Sequence, residues 1–461
     1  MPESPVPLET ELPPEVERTT RQLVRSMGLA QATSVNMLEM IGIGPFITIG
    51  TIIAAMGGPQ AILGWLLGAV VAICDGLVYA ELGAAMPGAG GAYIYFREAF
   101  NRLTWGRLFS FLFLWETIFV APLSIAAACV GFGDYLGYAL GFAHRGITLT
   151  AIGVCIAVAV LLYRPIRSVG RLSVVFLVIV LAAMLWVVVA GTLHMNPRMA
   201  FDFPPHAFRL SSGFFAGLGS ATLFALYNYG GYNNITYLGG EVRQPVKNIP
   251  RAIVLSILAV AVLYLLMSVT IIGTIPWQQA ATSNAVVSEF ITKLYGARAG
   301  VLITVLILIA TFGGIFTMTL GYSRILFAAG AEGQFFKVFG RVHPRGHFPT
   351  VALVAVAALA LPLCGLPIEK LVAALIIIQV LFQFILQVVA VFVIRTYRRE
   401  IAVPFRMWLY PWPALVALAG WIYVALTPAQ RPFVWEGAIL MAAGVVAYLL
   451  RARVVKEWPL A

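Results

Sequence analysis

A chain of 461 residues with 61% hydrophobic and 11% charged side chains cannot dress a water-facing surface, because soluble domains carry about 25% charged residues. Its formal charge of +11 is spread over short loops between apolar runs rather than gathered in one patch, which argues against a nucleic-acid partner. The apolar excess makes the lipid bilayer the solvent and the partner this chain is built for.

The first residues are rich in Pro and Glu and hold no apolar core, so 1–29 read as a cytosolic tail rather than a signal peptide. Beyond it, apolar runs recur that are long enough for helices crossing about 30 Å of hydrocarbon. Spans are predicted at 30–56, 61–85, 104–131, 147–163, 172–193, 212–239, 251–274, 298–328, 349–364, 370–394, 409–427 and 433–450. The runs are too long for barrel strands and do not alternate in polarity, which excludes a closed β-barrel. The predicted fold is an all-α polytopic membrane protein with 12 transmembrane helices. If the N-terminus is cytosolic, the loops place 23 of the 30 Lys and Arg residues inside and 7 outside. Both termini are therefore expected in the cytosol.

Span one carries Gly42-Ile43-Gly44-Pro45 in its middle. Gly disfavours helix by about 1 kcal/mol and Pro by about 3, but Pro suits the first turn of a new helix. The pattern predicts a helix ending near Ile41, an extended Gly42-Ile43-Gly44, and a half-helix starting at Pro45. The free N–H groups of that half-helix would then meet an anion such as a carboxylate in mid-membrane. The plainer reading is a kink with small residues at a helix contact.

Four acids fall within predicted spans: Glu39, Asp75, Glu81 and Glu116. Burying a charge in the membrane is costly, so each is a functional candidate. Glu39 lies one turn before the Gly42 break, with Asn36 one turn earlier as a hydrogen-bond partner. It and Glu116 in span three are candidates to bind an amine or carry a proton, since desolvated carboxyls can exchange protons near neutrality. Asp75 reads as a polar helix contact as readily as a functional group, and Glu81 as a structural bond near the cytosolic end.

Span five has no Lys, Arg or His. Span six holds Tyr227-Asn228-Tyr229-Gly230-Gly231-Tyr232-Asn233-Asn234, a second unwound segment whose carbonyls could receive an ammonium group. Breaks in spans one and six are what two inverted five-helix halves produce, with substrate between them. Thr311, Thr317 and Thr319 of span eight are candidate ion ligands, although Thr in a helix commonly bonds its own backbone. The four cysteines read as small buried side chains without metal or disulfide roles. None of the five histidines lies mid-span, so an intramembrane enzyme has no visible constellation. No nucleotide-binding loop is present.

Several motifs resemble the amino acid–polyamine–organocation (APC) superfamily over nearly the whole chain. Gly42-Ile43-Gly44 is similar to the family's first-helix pattern. Tyr79-Ala80-Glu81-Leu82, Met86-Pro87-Gly88, Gly90-Gly91, Tyr93 and Arg97-Glu98-Ala99-Phe100 resemble its second-to-third helix stretch. Glu241-Val242, Pro245 and Ile249-Pro250-Arg251-Ala252-Ile253 resemble its signature after helix six, and Ser323-Arg324, Ala328-Ala329 and Glu332-Gly333 its helix-eight end. The resemblance implies a LeuT-type 5+5 inverted-repeat core over 30–394, with halves at about 30–193 and 212–394. Helices 11 and 12 (395–450) and a cytosolic tail (451–461) would follow. It also implies alternating access, with a substrate carboxylate at Gly42, Ile43 and Gly44. The amine would meet the helix-six break around Tyr227, Asn228, Gly230 and Gly231, with Tyr227 as a gate. Two departures stand out. Asn233 replaces an acid found in many members, and span five lacks the lysine that stands in for sodium in some.

The expected activity is secondary active transport of amino acids or related amines, proton-coupled or exchanging. Buried acids favour cationic substrates, and Gly44-Pro45-Phe46 resembles a polyamine-uptake branch, so a polyamine-specific transporter is the alternative. A nutrient-sensing receptor or channel on the same fold is the alternative of another class. No cofactor is expected beyond a coupling ion, H+ or Na+, and the location expected is a bacterial inner membrane.

Overall fold

The computed structural model describes residues 23–101, 105–283 and 285–455. Most of the expected N-terminal tail (1–22) and the end of the C-terminal one (456–461) lie outside them. The described end of the N-terminal tail is not loose. Leu23 and Met27 are buried, and the Ser26 and Met27 N–H groups both donate to the Glu241 carbonyl at 3.0 Å.

Among the described residues the chain is helical, with isolated bridges in place of strands. The elements in order are α1 (Leu29–Ile41), α2 (Gly44–Met56), α3 (Ile62–Ala85), α4 (Ala92–Phe100), α5 (Gly106–Leu140), α6 (His144–Leu162) and α7 (Ile166–His194). Then come α8 (Ser212–Tyr229), the one-turn α9 (Asn234–Tyr237), α10 (Pro245–Ile272), α11 (Val286–Tyr295) and α12 (Ala297–Ala331). The chain continues with α13 (Val351–Ala360), α14 (Ile368–Gln379), α15 (Ile385–Tyr397), α16 (Trp412–Ala425) and α17 (Arg431–Val455).

Twelve spans were expected, and the described residues bear the expectation out in part. Seven helices are long and apolar enough to cross a membrane, and the bent α1–α2 pair makes up to eight. Expected spans nine, ten and eleven contain shorter apolar helices, Val351–Gly365, Phe382–Tyr397 and Trp412–Ala425. Expected span six stops as a helix at Tyr229. The reason is local: Pro362 sits in a 3-10 turn, a π-helical turn at Val380–Phe384 interrupts span ten, and Gly230-Gly231 ends α8.

The α1–α2 break is sharper than predicted. The two halves meet at 44°, and only Gly42 and Ile43 leave the helix. Ile43 is already near helical geometry, and α2 starts at Gly44 with Pro45 in its first turn. Around the breaks, α10 packs along α1 and α3, α8 packs on α2 and α3, and α12 packs on α1, α5 and α7.

The acids near the end where α1 begins are paired. Arg395 forks onto Glu81 at 2.6 and 2.7 Å, and Glu81 also accepts the Met407 N–H at 2.7 Å. The structural reading of Glu81 therefore fits its geometry. Arg324 forks onto Glu241 at 3.1 and 2.9 Å, both fully buried, and Arg97 pairs with Glu332 and Glu98. Arg324 with Glu241, and Arg97 with Glu98 and Glu332, are motif residues of the resemblance that meet one another as ion pairs.

Candidate functional site

Each broken helix leaves backbone groups without helical partners, and the two breaks face a common space. Among the described residues no backbone acceptor bonds the Ile43 and Gly44 N–H groups, and Pro45 has no N–H. At the other break, the Tyr229 and Gly230 carbonyls accept no hydrogen bond among the described residues. Donors of one helix and acceptors of the other therefore stand free within one bilayer-embedded fold, where orphaned polar groups are tolerated only around a cavity or a ligand.

That cavity has a volume of about 100 Å³. Glu39, Gly42, Ile43 and Gly44 line it from the first break, and Tyr227, Asn228, Gly230 and Gly231 from the second. Thr311, Ser124 and Tyr322 add a polar side, and Tyr237 stacks on Tyr322 at 6.2 Å between ring centres. Leu375, Phe384, Trp421 and Val424 add apolar surface.

Two glycines are required by this approach. Gly231 has φ +107°, and a Cβ there would come within 2.6 Å of Glu39 Cγ. A Cβ at Gly44 would overlap the side-chain oxygen of Asn228. Only glycine lets the two backbones come this close without strain.

Three polar side chains hold the breaks open. Asn36 Nδ2 donates to the Tyr232 carbonyl at 2.6 Å, and its oxygen accepts the Ile235 N–H at 2.9 Å. Asn36 is therefore engaged with the helix-six break and is not the partner of Glu39. Asn228 donates to Thr48 on α2 at 2.5 Å and to the Phe224 carbonyl at 2.8 Å. Tyr264 of α10 aims its hydroxyl at the carbonyls of Met40 at 2.7 Å and Asn228 at 3.2 Å, the ends of both first halves. Tyr264 was not singled out by sequence reasoning, since a lone Tyr in an apolar run carries no positional signal.

The remaining candidates divide. Glu39 lies at the cavity, and its Oε2 is buried with no hydrogen-bond partner among the described residues. Glu116 is 1% exposed with both oxygens unpartnered, but it does not line the cavity. Thr311 and Thr317 donate to their own helix, at 2.9 Å to Ile307 and at 3.2 and 3.1 Å to Gly313 and Gly314. Thr319 is buried without a partner, away from the cavity lining. Asp75 accepts from Tyr232, Gln387 and Trp421. Among the described residues, no group of three or more His, Cys, Asp or Glu could hold a metal ion.

Comparison with known proteins bears on this geometry. The sequence pattern of the amino acid permease family matches residues 27–448. The serine/threonine exchanger SteT of Bacillus subtilis is 27% identical over 420 residues, covering 87% of this chain and 90% of that protein. The branched-chain amino acid permease BcaP of the same organism is 24% identical over 461 residues, 94% of each. The mouse cationic amino acid transporter 4 is 27% identical over 394 residues, 81% of this chain and 59% of the relative.

Proposed function

The chain belongs to the amino acid permease family, membrane transporters and not enzymes, and from that premise we propose that it carries α-amino acids by alternating access through the cavity between its two broken helices. The observation that carries this reading is the pairing of free Ile43 and Gly44 N–H groups with the free Gly230 carbonyl around one cavity, the free Tyr229 carbonyl standing next to it in the same break. An α-carboxylate satisfies the first pair at a helix N-terminus. An α-ammonium satisfies the second. A polyamine has no anionic group for the N–H pair, which favours amino acids over the polyamine-specific alternative. The LeuT-type arrangement of two inverted halves around these breaks is part of the same proposal.

Transport is proposed to run as exchange or with a proton, and Glu39 is the group proposed to carry that proton or pair with a substrate ammonium. Its unpartnered oxygen supports this. Sodium is the second choice of coupling ion: Thr311 and Thr317 donate their protons within α12 and keep lone pairs for a cation, but of the three candidate threonines Thr311 alone lines the cavity. The proposed setting is a bacterial inner membrane with both termini cytosolic, supported by the loop distribution of Lys and Arg. The test is counterflow of labelled amino acids in proteoliposomes holding the purified protein. Saturable uptake accelerated by the same amino acid inside is the expected result. Uptake that is linear in concentration and indifferent to internal substrate would indicate a channel, and binding without flux a receptor.

A further inference from the structure

Helix α16 was expected to lie outside the transport core, yet two of its residues, Trp421 and Val424, line the cavity. Trp421 stacks flat on Phe384, with ring centres 4.1 Å apart and planes 3° from parallel. Phe384 also lines the cavity, and it closes the π-helical turn Val380–Phe384. Such a turn inserts one residue into a helix and so re-aims the side chains after it, a device common at functional sites. The backbone donors and acceptors of the two breaks are common to every α-amino acid. Discrimination between amino acids therefore has to come from other walls, and the stacked Phe384–Trp421 pair is an aromatic wall among them.

The wall is also anchored. The buried indole N–H of Trp421 donates to Asp75 at 3.1 Å. The same carboxylate, fully buried, accepts from Tyr232 within the helix-six break and from Gln387 of α15 at 2.7 Å. Three donors converge on one acceptor-only group. Asp75 therefore ties the indole directly to Tyr232 of the break, and Gln387 of α15 holds the carboxylate in place.

Resting on the amino acid reading above, we propose that Trp421 is the side-chain selectivity residue of the cavity and Asp75 its positioning residue: the stacked Phe384–Trp421 wall limits the size of the substrate side chain, and Asp75 fixes the indole against the helix-six break. The occupants it admits have small and medium side chains, with bulky aromatic ones shut out by the wall.

The experiment measures Vmax/KM for L-alanine and L-phenylalanine in proteoliposomes containing wild-type, Trp421→Ala, Trp421→Phe or Asp75→Asn protein. Trp421→Ala is expected to raise the phenylalanine-to-alanine ratio by about tenfold or more, the scale on which a hydrophobic pocket discriminates. Trp421→Phe is expected to give a smaller rise. Asp75→Asn, which puts an N–H₂ in place of one acceptor oxygen among three donors and so weakens the tether on the indole, is expected to shift the ratio in the same direction by less. Where Trp421→Ala does not accumulate, the Trp421→Phe and Asp75→Asn ratios decide. A ratio unchanged while both substrates slow equally overturns the selectivity proposal and reduces Asp75 to scaffolding. Wild-type protein that moves neither amino acid nor any other in counterflow overturns the transport reading instead, and the selectivity proposal with it.

Discussion

Asn36 and Tyr232 stand 196 positions apart in sequence and are joined by a 2.6 Å hydrogen bond, the Asn36 side-chain amide donating to the Tyr232 carbonyl. With the Ile235 N–H bound to the other end of the same amide, one side chain of the first helix replaces partners that the break in the sixth has lost. Asn36→Ala leaves a donor and an acceptor of that break unmet in a buried site, at about 1–3 kcal/mol each. The expected outcome is a clear drop in thermal unfolding temperature in detergent together with loss of uptake. Unchanged stability would mean the break is held by other contacts.

Gly44→Ala introduces a methyl that overlaps the Asn228 side chain, and Gly44→Leu adds bulk beside the free N–H groups. Both variants should bind substrate at least about tenfold more weakly, a difference of about 1.4 kcal/mol, with Leu the worse. Ligand-induced thermal stabilisation of purified protein reads this directly, and wild-type affinity in the Leu variant would remove the N–H groups from the binding site.

Tyr227 borders the cavity and approaches Gly44 closely, 3.6 Å from a Cβ placed there. Removing its ring in Tyr227→Ala should raise KM several-fold or let substrate exchange without full closure. Kinetics of counterflow matching the wild type would assign the ring to packing alone.

Glu39→Gln keeps the shape of the side chain and removes its charge. If Glu39 carries the coupled proton, the variant should lose concentrative uptake driven by a pH gradient and keep exchange of substrate for substrate. If it pairs with a substrate ammonium, binding of basic amino acids should weaken while neutral ones are spared. Counterflow and pH-gradient uptake with one neutral and one basic amino acid separate the two, and wild-type results in every arm would leave Glu39 with no role in transport.

Arg324→Ala strands the fully buried Glu241 carboxylate, which in comparable sites destabilises by about 3–5 kcal/mol. Expression and unfolding temperature should fall sharply. Pairing it with Glu241→Leu should recover much of the loss, because no unpaired charge then remains. A double variant no better than the single one would show that the ion pair itself, and not the orphaned charge, holds the α12 end.

Much of this protein was legible in one dimension. The bilayer as solvent follows from composition, and the two breaks follow from Gly42, Gly44-Pro45 and Gly230-Gly231, because glycine and proline weaken a helix wherever it stands. Glu39 could be placed beside a break by counting turns. What sequence could not reach was partnership. Asn36, expected to serve Glu39 three residues away, instead serves Tyr232 and Ile235. The unpartnered Glu116, as deep in its helix as Glu39, is not at the cavity. Trp421 was assigned to a peripheral helix and in fact borders the cavity between the breaks. These outcomes depend on which helix faces which. Helical periodicity fixes the relative directions of side chains along one helix, but the rotation of that helix about its axis is set by packing against its neighbours. The polar groups of the breaks then take whichever donors and acceptors that packing brings close, and Asn36 and Thr48 reach those of the sixth span's break across 180 or more positions.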